Sequence, residues 1–297
     1  MDHVDLKIPP RGIISVVGES GSGKSTLGKT TLGLIRPYSG SVLFRGKDIW
    51  KLDPNEYKEY RKNAQFIPQD PYSSLHPFRK VGTVLGEILR YHRVANSSKD
   101  IREGIEELLE KVGLTPPSKY INKYPLELSG GERQRIAIAR AIALKPAYIV
   151  ADEPVTMLDA SIKVGIIRTL IQLINDLRSS LLFITHELSL VEAFGRDTEV
   201  LVMYLGEIVE KGLAEKVFVN PAHPYTQALI EALPVADPEA AKKKKLLLTN
   251  VNPPNPINKP KGCPFSDRCP YAMEVCKIEH PQMKSLSANH QVSCHLY

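Results

Sequence analysis

The chain has 297 residues, enough for one large domain or two, and its 42% hydrophobic and 24% charged residues are those of a globular protein, not a disordered or fibrous one. No apolar run approaches the ~18 residues of a membrane-spanning helix, and no basic, apolar and small-residue succession marks a secretion signal, so the expected compartment is the cytoplasm. The net charge of +6 suits a phosphate ligand, a lipid surface or a nucleic acid without choosing among them.

His3 to Ile8 alternates apolar and polar residues and predicts a strand closed by Pro9-Pro10. Gly12 to Val17 is a β-branched apolar run that predicts a short buried strand. Next come Gly18-Glu19-Ser20-Gly21-Ser22-Gly23-Lys24-Ser25-Thr26 and then Leu27 to Ile35, which predicts a helix. Strand, glycine loop and helix form the context that G-x-x-x-x-G-K-[ST] requires. Glycines let consecutive backbone N–H groups curl around a phosphate, and the helix N-terminus adds partial positive charge. Lys24 reaches the β- and γ-phosphates of a nucleotide in such a loop, and the Ser25 hydroxyl ligates Mg²⁺. A Gly/Ser linker does not sit between a buried strand and a helix.

Gly40 to Phe44 predicts a strand, and Asp53 to Lys62 a helix that Asp53 caps with Pro54 at its first position. Ala64 to Pro68 predicts a strand ending at Gln69-Asp70-Pro71, and Val81 to about Val112 is mostly helical. Leu128-Ser129-Gly130-Gly131-Glu132-Arg133-Gln134 opens a helix running through Ala143. Its two adjacent glycines suit a second backbone anion site, although Ser129 also suits a plain N-cap.

Tyr148 to Asp152 predicts a buried strand that delivers Asp152 and Glu153 at its C-terminal end, where α/β folds place active groups. Asp152 suits Mg²⁺, and Glu153 suits a general base for an attacking water. Val155 to Asp159 leads into a helix from Ser161 to Leu177. Leu181 to Thr185 is a further buried strand ending in His186; a lone histidine is more often structural than catalytic, but the end of a core strand is a place where a γ-phosphate could be sensed. Glu199 to Met203 and Glu207 to Lys211 predict a hairpin around Gly206. The alternation of strands and helices implies an α/β fold with a mainly parallel sheet.

From about Gly212 the character changes. Asn220 to Thr226 leads into a helix ending near Leu233, and Asp237 to Asn258, with the run Lys242 to Lys245, reads as a solvated connector. The four cysteines, Cys263, Cys269, Cys276 and Cys294, are spaced C-x5-C-x6-C-x17-C. In a cytosolic protein such a group reads as a metal site before a disulfide pair, serving Zn²⁺ or a cubane iron–sulfur cluster, with disulfides or free thiols as the remaining alternative. Metal coordination would staple a tail too small for a core of its own.

With these motifs placed, the chain resembles the ATPase subunit of an ABC transporter. Gly18 to Thr26 matches the Walker A loop and Gln69 the Q-loop. Leu128 to Gln134 matches the signature motif, with Glu132 at a position often held by glutamine. Asp152 and Glu153 match Walker B, Asp159 the D-loop and His186 the switch histidine. His223-Pro224-Tyr225-Thr226, Gly262-Cys263-Pro264-Phe265 and Arg268-Cys269-Pro270 resemble the oligopeptide/dipeptide importer branch.

The resemblance implies a RecA-like P-loop core over residues 1–212, with an α-helical signature subdomain at about 70–135, and a C-terminal extension over 213–297. It implies ATP, with Mg²⁺ held by Ser25, Gln69 and Asp152, and a [4Fe–4S] cluster, with Zn²⁺ as the alternative, on the four cysteines. It implies a head-to-tail pair of ATPase subunits in which each ATP lies between one subunit's Walker motifs and its partner's Ser129, Gly130 and Gly131. Two permease subunits and an extracytoplasmic solute-binding protein complete the assembly, at the cytoplasmic membrane face, with no nucleic acid as partner. The competing expectation is a soluble ATPase of the same class acting on DNA or RNA. Members of the family stack an upstream aromatic residue on adenine. None of the 17 residues before Gly18 is Phe, Tyr or Trp, so that platform is missing or the native start lies upstream.

Overall fold

The computed structural model describes residues 1–233, 248–250 and 259–297. It divides into two compact units. The first comprises Met1–Lys7, Ile14–Leu27 and Thr185–Tyr297; the second comprises Ile8–Ile13 and Gly28–Ile184. Ten strands are described: β1 (Ile13–Val17), β2 (Leu43–Phe44), β3 (Lys47–Asp48), β4 (Ala64–Ile67), β5 (Tyr148–Asp152), β6 (Ser180–Ile184), β7 (Glu199–Tyr204), β8 (Glu207–Leu213), β9 (Met283–Ser287) and β10 (His290–Ser293).

In the second unit β4, β5 and β6 run parallel, in a register that sets Ala64 beside Tyr148 and Asp152 beside Ile184. Every residue of β5 and β6 is buried, as continuous apolar runs in a sheet covered on both faces demand. The Gly130–Ile142 helix contributes Ile136, Ala137, Ile138 and Ala139 to the core, none with exposed surface. Asp53 caps the Pro54–Asn63 helix by accepting the N–H groups of Asn55 and Glu56 at 2.8 and 2.9 Å. The helical stretch expected over Val81 to Val112 divides into Val81–Tyr91 and Ser98–Lys111, because Ser97 starts the second helix through a capping box with Asp100. Ile101, Ile105, Leu108 and Leu109 form its buried stripe.

In the first unit β1 pairs parallel with β7, while β7–β8, β8–β10 and β10–β9 are all antiparallel. The expectation of a mainly parallel sheet is therefore corrected to a mixed one. The reason is the hairpin at Leu205-Gly206, which reverses the chain with no crossover helix and leaves β8 as a template for further antiparallel strands. The core of this unit gathers Val17, Val200, Val202, Tyr204, Val217, Tyr225, Phe265, Cys263 and Cys276.

Two local expectations fail. Residues 3–8 form no strand: Val4 and Leu6 are half-buried between exposed neighbours, as the alternation indicates, but this stretch enters no ladder. The helix after the glycine loop spans Lys24–Thr31 and stops short of Ile35, because Gly33 turns left-handed at φ +67° and Leu34 N–H bonds back to the Lys29 carbonyl. The connector expectation falls largely outside the described residues, and the lysines Lys242 to Lys245 wholly so. No helix among the described residues is long and apolar enough to cross a membrane.

Candidate nucleotide-binding site

In the first unit β1 delivers the chain to the loop Gly18–Gly23. Gly18 has φ +150°, and a Cβ there would stand 2.2 Å from the Met203 carbonyl oxygen, so glycine alone fits. Lys24 is 4% exposed, and its Nζ donates to the Gly18 and Glu19 carbonyls at 2.8 and 2.9 Å, holding the cation inside the loop. Ser20 and Gly21 are exposed, Gly23 and Ser25 are half-buried, and Thr26 is exposed in the first turn of the Lys24–Thr31 helix. The Ser22 hydroxyl is buried and finds no hydrogen-bond partner in the protein. A buried cation, an orphaned hydroxyl and a helix N-terminus at one loop fit a phosphate chain. His186, also in this unit, is exposed just past the end of β6.

In the second unit Asp152 ends β5 and is 4% exposed. Glu153 follows at φ +47°, a left-handed conformation uncommon for glutamate, and is held there by its N–H on the Ile184 carbonyl at 2.9 Å. Backbone strain of this kind gathers where a side chain must be aimed. Gln69, exposed beyond β4, donates from Nε2 to the Glu153 carboxylate at 2.9 Å. Within this unit Gln69 and Asp152 carry side-chain oxygens, the ligand type that Mg²⁺ takes.

The signature segment also lies in the second unit. Ser129 is the exposed N-cap of the Gly130–Ile142 helix; its hydroxyl accepts the Glu132 N–H at 3.3 Å, and the Glu132 carboxylate accepts the Ser129 N–H at 2.8 Å. That second bond holds the Glu132 carboxyl below the usual range. The plain-cap reading of Ser129 is the one these bonds show. Glu132 completes the capping box, as glutamine also could. Gly130 and Gly131 form the first turn, and Asp159 stands exposed at the start of the Ala160–Leu177 helix.

The four cysteines do not meet the metal expectation. All are free thiols; Cys263, Cys276 and Cys294 are buried and Cys269 is half-buried. Burial pushes the Cys263 thiol up to about 12 and raises Cys269 and Cys294 as well, with neighbouring thiols adding to each shift. Yet no group of three or more His, Cys, Asp or Glu among the described residues is placed to hold a metal ion. Cys263 and Cys276 instead pack into the apolar core beside Tyr204 and Phe265, and Cys294 packs with Ala222 and Val292. A [4Fe–4S] cluster or Zn²⁺ on these thiols, and with it the metal-stapled extension, is therefore not supported.

Polar contacts hold the tail instead. Fully buried Glu210 of β8 accepts the N–H groups of Ala222 and His223 at 2.9 and 2.8 Å and pairs with His290 Nε2 at 2.7 Å. Arg268, 2% exposed, forks onto the Glu19 carboxylate at 2.8 and 2.9 Å. Sequence reading quoted Glu19, Tyr225 and Arg268 inside motifs but gave them no role. The available signal was an acidic residue inside a phosphate loop, which calls for a cation.

A phosphate-loop ATPase with a signature helix is the class that this fold and these motifs define. The sequence matches the ABC transporter family over residues 1–156 and the C-terminal region of oligopeptide/dipeptide transporters over residues 209–276. It is 42% identical to the oligopeptide transport ATP-binding protein OppF of Salmonella typhimurium over 294 residues, 99% of this chain and 86% of that one. With the oligopeptide transport ATP-binding protein AppF of Bacillus subtilis it shares 40% over 298 residues, 100% of this chain and 89% of that one. Among solved structures, cbiO1 from Clostridium perfringens, part of an ABC transporter complex, superposes with a TM-score of 0.64 at 25% identity, covering 73% of this chain and 83% of that one. A dimeric bacterial ABC transporter cassette gives 0.63 at 29% identity over 71% and 89%. The chain belongs to the ABC transporter family, as an ATP-binding subunit carrying the oligopeptide/dipeptide-type C-terminal region.

Proposed function

We propose that this chain hydrolyses ATP to drive import of oligopeptides or similar solutes through separate permease subunits at the cytoplasmic membrane face. The observation that carries the reading is the buried Lys24 held in a glycine loop, in a chain 99% of which aligns with an oligopeptide transport ATP-binding protein. Residues 1–212 serve as the ATPase, with the signature helices at about 70–135, and 213–297 as the extension.

Lys24, Ser20, Gly21, Gly23 and Thr26 bind the phosphates. Ser25, Gln69 and Asp152 would hold Mg²⁺, which neutralises phosphate charge when bound. Glu153 takes the proton of the attacking water, Gln69 orients that carboxylate, and His186 senses the γ-phosphate. Ser129, Gly130, Gly131 and Asp159 act across a head-to-tail interface with a second ATPase subunit, and an extracytoplasmic solute-binding protein supplies the cargo. No iron–sulfur or zinc step enters this reading. Solute uptake and ATP turnover by the reconstituted transporter test it: Lys24→Ala should abolish both, and unchanged turnover would reject the phosphate-loop assignment. Salt-sensitive DNA binding by the same preparation would support the nucleic-acid alternative, which no structural observation favours.

A further inference from the structure

Glu19 occupies the second position of the phosphate loop, where a carboxylate repels the ligand that the loop exists to receive. The C-terminal region contacts this residue at two points. Arg268 Nη1 and Nη2 donate to its two carboxylate oxygens at 2.8 and 2.9 Å, and the Tyr225 hydroxyl accepts its backbone N–H at 2.7 Å. Its carbonyl meanwhile accepts from Lys24 Nζ at 2.9 Å. Both side-chain oxygens, the N–H and the C=O of one loop residue are thus fixed, three of these four by residues more than 200 positions away in sequence.

The clamp is itself braced. Arg268 Nε donates to the Asn250 carbonyl at 3.1 Å, Nη1 also reaches the Tyr204 hydroxyl at 3.4 Å, and the guanidinium lies over the Tyr204 and Phe265 rings at 5.6 and 5.8 Å. Tyr204, Tyr225 and Phe265 pack with ring centroids 4.6 to 5.5 Å apart. Burial works against the Arg268 charge, yet the bonds to Glu19 and Tyr204 more than offset it and leave the group firmly protonated. A planar bidentate fork is the geometry that lysine cannot reproduce.

We propose that Arg268 and Tyr225 are positioning residues for ATP: the C-terminal region cancels the Glu19 charge and sets the phosphate loop in its receptive form. Neither residue need touch the nucleotide. The clamp is built wholly from the chain's own residues, so it acts as preorganisation, and its loss weakens ATP binding without slowing the chemical step.

The inference rests on Gly18–Thr26 binding the phosphates, and the experiment separates the two. ATP affinity of the full-length chain, ATP KM and kcat of the intact transporter, and thermal midpoint are measured for Arg268→Met, Arg268→Lys, Tyr225→Phe, Glu19→Gln and the Glu19→Gln/Arg268→Met pair, with Lys24→Ala as reference. Arg268→Met should raise the ATP Kd and KM about tenfold with kcat near wild type, the signature of lost preorganisation. Adding Glu19→Gln should recover most of that loss by removing the uncovered charge, and Arg268→Lys should fall between. An Arg268→Met chain that melts earlier but binds ATP with unchanged Kd, or a pair no better than Arg268→Met alone, overturns the proposal. Should Arg268→Met not fold, Tyr225→Phe and Arg268→Lys decide on the same readout: a raised Kd supports the clamp, and wild-type values reject it. If Lys24→Ala also retains ATP affinity, the phosphate-loop assignment has failed instead.

Discussion

Gln69 Nε2 and the Glu153 carboxylate form a 2.9 Å hydrogen bond between the end of one strand and the end of its neighbour. The donor fixes the Oε2 end of the Glu153 carboxylate. With Glu153 held at a left-handed φ, two independent constraints aim the same group. Glu153→Gln should keep ATP binding while lowering turnover about 10²–10⁴-fold, the worth of a general base. Gln69→Ala should keep the base but loosen its aim, giving a smaller loss in kcat. Single-turnover hydrolysis with radiolabelled ATP separates binding from chemistry, and near-normal turnover in Glu153→Gln would move the base elsewhere, with His186 the next residue to test.

Ser129 combines a structural bond with an exposed position. In the proposed head-to-tail pair, Ser129→Arg should block hydrolysis of the ATP held by the partner subunit while its own phosphate loop still binds nucleotide. The lost N-cap should cost about 1 kcal/mol of stability, too little to unfold the helix that Ile136 to Ala139 anchor in the core. Mixed assemblies carrying one Ser129→Arg and one Lys24→Ala subunit check this. Loss of hydrolysis confined to the mutant's own site would contradict the head-to-tail arrangement.

The buried thiols predict how the tail responds to chelation. Cys263 sits in the core beside Phe265 and Tyr204, and burial disfavours its thiolate. Chelators should therefore leave the melting temperature unchanged, and Cys263→Ala should lower stability by about 1 kcal/mol, the ordinary cost of a small buried truncation. Iron, sulfide and zinc analysis of anaerobically purified protein accompanies the melts. A stoichiometric metal whose removal unfolds the tail would restore the metal reading and contradict the packed-thiol one.

The parts of the molecule legible in sequence were those where neighbouring residues share a cause. Ile13 to Val17, Tyr148 to Asp152 and Ser180 to Ile184 are apolar runs buried on both faces, so composition alone marks them as strands. The glycine loop, the Asp53 cap and the signature helix follow from local steric and hydrogen-bonding rules. The mixed sheet was not fully legible, because β9 and β10 are short and polar and find their place only through pairing, β10 on β8 and β9 on β10. Glu210 interrupts the apolar pattern of β8 for the sake of partners at Ala222, His223 and His290, which lie far along the chain. The pairing of Glu19 with Arg268 spans 249 positions, beyond the reach of any periodicity. The cysteine spacing marks thiols that come near one another in the fold, but a count of thiols says nothing of whether they hold a metal or pack as apolar side chains.

His223 predicts a pH dependence of the tail. Its ring is 1% exposed, its Nδ1 accepts the Tyr225 N–H at 3.0 Å at the start of the Pro224–Glu231 helix, and it packs 5.6 Å from the Phe265 ring. Burial pushes its pKa from 6.5 down to about 3. The group is neutral when folded and takes a proton more readily when unfolded, so the unfolded chain binds more protons through that window. Stability from this residue is complete above about pH 6.5 and falls as pH drops toward 3. The loss approaches about 1.4 kcal/mol per pH unit. Charging the ring also removes the acceptor for the Tyr225 N–H, and Tyr225 is the residue whose hydroxyl meets Glu19 of the phosphate loop. His223→Asn keeps a capping oxygen without a titrating group. Denaturant midpoints of the wild type and His223→Asn between pH 7.5 and 4.5 should therefore diverge, with the wild type losing about one proton's worth more stability as pH falls. Parallel curves across that range would show that His223 does not carry the acid sensitivity of the tail.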